Sequence, residues 1–174
     1  MSKKILLIVD VQNALLEANP YNKEIFLSNL KILLSKARQN EIEVIYIQHD
    51  GGMGDKFEYG TRGWEIATEI IPGKDDKIIS KEKNSAFKRT SLHNYLQVKK
   101  VTTIILAGMQ TEYCIDASCK SAFDLDYSVI IPRGCTTTFD NDYFSGYDLS
   151  LYYENEIWNN RYAQVVSIDE SINM

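Results

Sequence analysis

The sequence predicts an α/β protein, a three-layer doubly wound sandwich around a mostly parallel six-stranded sheet. Three observations carry this. Short apolar runs rich in β-branched residues recur at Lys4 to Val9, Glu43 to Gln48, Lys77 to Ser80, Val101 to Ala107, Ser128 to Pro132 and Ala163 to Ser167. Between them lie segments with apolar residues three and four apart, so strands alternate with helices and right-handed crossovers follow. The 174 residues, 44% hydrophobic, are enough for one well-buried domain over 1–174, and no repeat, low-complexity tract or linker interrupts them.

Lys4 to Val9 is apolar on both faces, as an inner parallel strand must be, and ends at Asp10-Val11-Gln12-Asn13. From about Asn22 to Gln39, the residues Ile25, Phe26, Leu30, Leu33 and Leu34 fall on one helical face, and Glu43 to Gln48 completes a β-α-β unit. His49 to Gly63 then carries Gly51, Gly52, Gly54, Gly60 and Gly63, the composition of a long loop, and loops of that length are commonly functional. Trp64 to Ile71 reads as a short helix, Pro72 to Asp76 as a turn, and the third strand ends at Lys81. Leu92, Tyr95 and Leu96 mark a helix beginning at Ser91. The fourth strand breaks at Gly108, and its helix runs from about Glu112 to Leu125. After the fifth strand, Gly134 to Asn141 is polar and turn-rich, and a helix around Tyr147 to Asn160 leads to the sixth.

Composition narrows the function. The net charge is −5 with acids and bases interspersed, which lacks the basic footprint of a nucleic-acid binder and favours a small-molecule partner. The apolar run Ile5 to Val9 is too short for a signal-peptide core or a membrane span, so a soluble cytoplasmic protein with no membrane partner is expected. Cys114, Cys119 and Cys135 are an odd number without CxxC spacing, and there are two histidines; reduced thiols fit better than a disulfide framework or a zinc site.

Cys114 follows the break at Gly108, on the first turn of a helix, where free N–H groups and the helix dipole favour a thiolate. It is a candidate nucleophile; the other reading is a small buried apolar filler. Ligands of open parallel sheets bind beyond the carboxyl ends of the strands. Three chemically distinctive residues fall there: Asp10 after the first strand, Lys81 after the third and Cys114 past the fourth. A carboxylate, an ammonium and a thiol are what nucleophilic acyl transfer needs, since the thiol must lose a proton to a base. Taken singly, an Asp at a strand end is often a turn former and a Lys is usually solvated.

The ordered set Leu6-Leu7-Ile8-Val9-Asp10-Val11-Gln12, Ile79-Ser80-Lys81-Glu82-Lys83-Asn84-Ser85-Ala86-Phe87 and Gly108-Met109-Gln110-Thr111-Glu112-Tyr113-Cys114 resembles the isochorismatase-like cysteine hydrolases. The resemblance implies an Asp-Lys-Cys catalytic triad at Asp10, Lys81 and Cys114, with Lys81 preferred over Lys83 because it lies four positions before Ser85. It also implies a cis peptide at Met109-Gln110 and an oxyanion hole built from the backbone N–H groups of Gln110 and Cys114. His49, Trp64, Met109 and Tyr113 are the expected substrate-binding residues, with Phe139 a further aromatic neighbour. Nicotinamidases of the family hold a metal with an Asp and histidines after the second strand; only His49 and Asp50 stand there, so no metal and no cofactor are expected. His93, Cys119 and Cys135 read as structural. The implied function is cleavage of a small amide or related C–N bond through a Cys thioester, by a homo-oligomer. The alternatives are an isochorismate (vinyl-ether) hydrolase and a non-catalytic small-molecule-binding relative. A receiver-like domain is disfavoured by the absence of clustered acids after the first strand, and a dinucleotide binder by the absence of GxGxxG there.

Overall fold

In the computed structural model, which describes residues 3–174, the strands lie in the order β3-β2-β1-β4-β5-β7. Every ladder is parallel. The strands are β1 (Lys4–Val9), β2 (Glu43–His49), β3 (Lys77–Lys81), β4 (Thr103–Met109), β5 (Ser128–Pro132), β6 (Thr136–Thr137) and β7 (Gln164–Val166). The helices are α1 (Asn13–Glu17), α2 (Lys23–Gln39), α3 (Leu92–Val98), α4 (Asp116–Asp124), α5 (Gly146–Tyr152) and α6 (Ile168–Asn173). Alternate residues of the central strands enter two cores. Leu6, Ile8, Tyr46, Ile105 and Ala107 meet Phe26, Leu30 and Leu33 of α2 on one face. Ile5, Leu7, Val9, Ile45, Ile104 and Leu106 meet Leu92, Leu96, Cys119 and Trp158 on the other. Burial on both faces is why these strands read as continuous apolar runs rather than alternating ones.

The chain winds outward from β1 to β3 and then returns to lay β4 on the other side of β1. The carboxyl ends of β1 and β4 therefore flank the point where the winding reverses, the place where such sheets open a crevice. Gly108 sits there, in register with Val9. Its φ is +130°, and a Cβ would fall 2.1 Å from the Val9 carbonyl oxygen, so only glycine lets the two strands remain paired.

The six expected strands are all present, and β4 continues through Gly108 to Met109 rather than stopping before it. The turn-rich segment after β5 adds the seventh, β6, whose Thr136 and Thr137 pair with Gly108 and Met109. The helix expected over Trp64 to Ile71 does not form. Its backbone bonds across the chain instead: the N–H of Asn13 donates to the Glu65 carbonyl at 3.0 Å and that of Ala67 to the Val11 carbonyl at 3.0 Å, leaving a 3₁₀ turn at Thr68–Ile70. The long helix expected to Asn160 is α5 followed by a π-helical turn, Tyr153–Trp158. Two short helices had no periodicity long enough to announce them: α1 and α6, the latter opened by a Ser167–Glu170 capping box. Among the described residues no helix is long and apolar enough to cross a membrane.

Replacing Gly108 with Ala is expected to cost at least about 2 kcal/mol, from the positive φ and the clash together. Urea denaturation should show a lower midpoint at unchanged slope.

Candidate active site

β1 stops at Val9 because Asp10 turns the chain, with φ at +52° after a last ladder bond from its N–H to the Ile47 carbonyl at 3.0 Å. Lys81 is the last residue of β3, in register with His49 at the end of β2. Cys114 lies in a π-helical turn, Thr111–Ile115, that joins β4 to α4 and closes back on the Gln110 carbonyl through the N–H groups of Tyr113 and Ile115. The Met109–Gln110 peptide entering that turn is cis.

These three strand ends converge on the Lys81 ammonium. Its Nζ lies 2.6 Å from Asp10 Oδ2, 3.3 Å from Cys114 Sγ and 3.4 Å from His49 Nδ1. Three N–H donors thus face three acceptors, and the cation is fully used. Asp10 and Lys81 are each only 2% exposed, whereas Lys83 is exposed and takes no part. The second carboxylate oxygen, Asp10 Oδ1, is buried and receives no hydrogen bond from Lys81, while the Cys114 thiol stands close enough to act on the carboxylate.

Burial dominates the electrostatics. It raises the Asp10 pKa, against the opposing pull of Lys81 and of the Cys114 thiol. It pushes the Cys114 thiol up to about 12, helped by the Asp10 charge and resisted by Lys81. Burial first, and then the neighbouring carboxylate, thus oppose the thiolate expected from a helix start, because the π turn encloses Cys114 beside Asp10. Burial and the Lys81 charge lower the His49 pKa, so the ring is neutral and Nδ1 accepts from the ammonium.

The remaining expected residues divide. His49 stands at the site, its ring edge-on to Phe57 at 5.3 Å. Trp64 is partly buried against Tyr59, and its indole N–H is enclosed without an acceptor. Tyr113 is 52% exposed. Met109 is a correction: its side chain is 0% exposed and packs in the core with Ala107 and Ile105, because the strand alternation that β4 keeps to its end turns it inward, leaving only its backbone at the crevice. Phe139 is partly buried on the same core. Cys119 and Cys135 are fully buried in the two cores, and His93 Nδ1 lies 3.0 Å from the Tyr127 hydroxyl.

Two sets of residues were missed from the sequence. Gln12, fully buried, holds the backbone of His49 and of Trp64. Ser118 and Ser121 of α4 bind the Ala86 N–H at 2.9 Å and the Ser85 hydroxyl at 2.8 Å, fastening the segment after Lys81 to the helix after Cys114. The quoted motifs contain Gln12 and Ser85, but only the folded partners give them a role. Among the described residues no three of His, Cys, Asp and Glu gather as a metal ion would require. A cavity of about 710 Å³ lies at the opposite end of the sheet, beside Thr103 and Ser128 at the starts of β4 and β5.

A sequence profile of the Isochorismatase domain matches residues 4–154. The chain is 31% identical to a streptothricin hydrolase of Streptomyces noursei over 138 residues, which are 78% of this chain and 50% of that protein. It thus spans about half the length of the streptothricin hydrolases it matches. It is 22% identical to a ureidoacrylate amidohydrolase of Agrobacterium fabrum, over 82% of this chain and 79% of that one. A crystal structure of an isochorismatase family protein superimposes with a TM-score of 0.88 at 25% identity, covering 96% of this chain and 99% of the other.

Alkylation by iodoacetamide between pH 7 and 10, located by peptide mass spectrometry, checks these electrostatics. With the thiol pushed up to about 12, the rate at Cys114 should climb about tenfold per pH unit without levelling off. Asp10→Asn removes a charge that raises the thiol pKa and should accelerate the reaction; Lys81→Met removes one that lowers it and should slow it. A plateau near pH 8 in the wild-type protein would contradict the assignment.

Proposed function

The chain belongs to the isochorismatase family, and from that we propose that it hydrolyses a small amide or related C–N bond through a thioester on Cys114. The observation that carries the reading is the buried ammonium shared between a carboxylate and a thiol, with Lys81 at 2.6 Å from Asp10 and 3.3 Å from Cys114. Relatives named as hydrolase and amidohydrolase support it.

In this scheme Asp10 Oδ1, which has no other protein donor, takes the Cys114 proton as Sγ bonds to the substrate carbonyl carbon. The raised pKa of Asp10 suits this role, since a base works best when its pKa approaches the working pH. The transfer moves one negative charge from carboxylate to sulfur and on to the carbonyl oxygen. Lys81 therefore faces a single anion throughout, and little electrostatic reorganisation accompanies the step. The N–H groups of Gln110 and Cys114 form the oxyanion hole, worth roughly 3 kcal/mol per donor where such donors are well aimed. When the tetrahedral adduct collapses, the C–N bond breaks and Asp10 returns its proton to the leaving nitrogen. Water, deprotonated by Asp10, then attacks the thioester; the C–S bond breaks, the thiol re-forms, and a carboxylic or carbamic acid departs.

Screening amides, ureas and carbamoylated amines should reveal turnover. On the best of them Cys114→Ala and Asp10→Asn should each lose at least about 10³-fold in kcat. Intact-protein mass spectrometry should detect an acyl adduct on Cys114 in the wild type. A Cys114→Ala protein hydrolysing at the wild-type rate would sink the mechanism.

A further inference from the structure

The left-handed turn at Asp10 takes β1 away from its neighbour too early. β2 runs on to His49 and stays paired with β3 on its other side, where Lys81 is the partner and the Asp50 N–H donates to the Lys81 carbonyl at 2.8 Å. On the β1 side, the last backbone bond comes from the Asp10 N–H to Ile47. The His49 N–H and C=O therefore face a gap in the ladder, and a buried pair of such groups is costly to leave unmet.

Gln12 fills that gap. Its Oε1 accepts from the His49 N–H at 2.8 Å and its Nε2 donates to the His49 carbonyl at 3.0 Å, reproducing with a side-chain amide the two bonds a strand residue would make. The other Nε2 proton goes to the Trp64 carbonyl at 2.7 Å, which also accepts from Gln48 Nε2 at 2.9 Å. Gln12 is 0% exposed, and its backbone bridges to Ile66. One side chain thus ties the end of β2 and the Trp64 segment to the turn that presents Asp10.

We propose that Gln12 is a positioning residue, a surrogate strand residue that frees Asp10 to leave the sheet while fixing His49 and Trp64 as the substrate-facing wall of the site. This rests on the hydrolase reading only for its kinetic consequence. With His49 pinned, its Nδ1 stays on the Lys81 ammonium, so the ring proton resides on Nε2 and gives the wall a donor of fixed direction. Only an amide meets the demand: a glutamate would set a carboxylate oxygen against two carbonyls, and a methionine would leave the His49 N–H and carbonyl unpaired and the Trp64 carbonyl to Gln48 alone.

The test uses the whole chain, and its first readouts need no substrate. In the wild type, NMR should show both Gln12 side-chain amide protons exchanging slowly, together with a protected His49 amide and a neutral Nε2–H imidazole. In Gln12→Met the His49 amide should lose at least about tenfold in protection and the imidazole nitrogen shifts should move. Gln12→Glu should show the same and be less stable. Rapid exchange of the wild-type Gln12 amide protons overturns the proposal even if neither variant folds, as does a folded Gln12→Met protein with unchanged His49 signals. If an amide substrate is turned over, Gln12→Met should raise KM about tenfold while changing kcat less than threefold, a split that general destabilisation does not produce. An equal fall in both parameters overturns the wall assignment. Absence of turnover by the wild type would count against the hydrolase reading and leave the exchange results to decide the role of Gln12.

Discussion

Everything at the carboxyl edge of the sheet depends on one buried ion pair, Lys81 with Asp10. Placing an ammonium and a carboxylate out of water costs several kcal/mol per ion unless their geometry and remaining hydrogen bonds compensate. The fold provides that compensation from three directions: the end of β1 supplies the carboxylate, the end of β2 the His49 ring nitrogen, and the turn after β4 the sulfur. Remove any one and the cation has a donor with nothing to bind. The pair is thus a condition on the sheet as well as a piece of chemistry, because it is satisfied only when β3, β2, β1 and β4 are all in register.

That condition explains several local irregularities. Asp10 occupies a left-handed conformation, which costs a non-glycine residue of order 1 kcal/mol, and does so at the one point where its carboxyl must turn under Lys81. Gly108 accepts a positive φ so that β4 can approach Val9. The π turn widens the start of α4 and brings Cys114 over the ammonium. Such departures from regular geometry concentrate where function asks for them. Behind this edge lie two apolar layers and strands buried on both faces.

Much of this was legible in the sequence, and what was not has identifiable causes. The six main strands stood out because inner parallel strands are apolar on both faces, and α2 because its apolar stripe repeats over four turns. Asp10, Lys81 and Cys114 could be placed at strand ends, and that placement is what the fold brings together. The stretch Trp64 to Ile71 misled because its apolar spacing imitates a helix, while its backbone partners at Val11 and Asn13 lie far away in sequence. Strand β6 was hidden because two threonines carry no pattern. Met109 was misplaced because the sequence marks the end of a strand, and not the face on which its last side chain falls. The effect of burial on Cys114 was hidden for a similar reason: a helix start is a local property, whereas enclosure beside Asp10 is a tertiary one. Gln12 stood only in the segment where the first strand ends, and nothing in one sequence says that its amide would complete a ladder.

The burial that raises the Cys114 pKa also bears on how the protein withstands oxidants. Peroxides and disulfides react with thiolates, and the burial that pushes the Cys114 thiol up to about 12, with the Asp10 charge adding to it, disfavours that form. Cys119 and Cys135 are enclosed in the two cores. Burial thus holds all three sulfurs towards the thiol form in the folded chain, a restraint that the unfolded chain lacks. Exposure of its sulfurs to oxidants is therefore governed by folding, since the burial that packs the two cores also holds Cys114 towards the thiol.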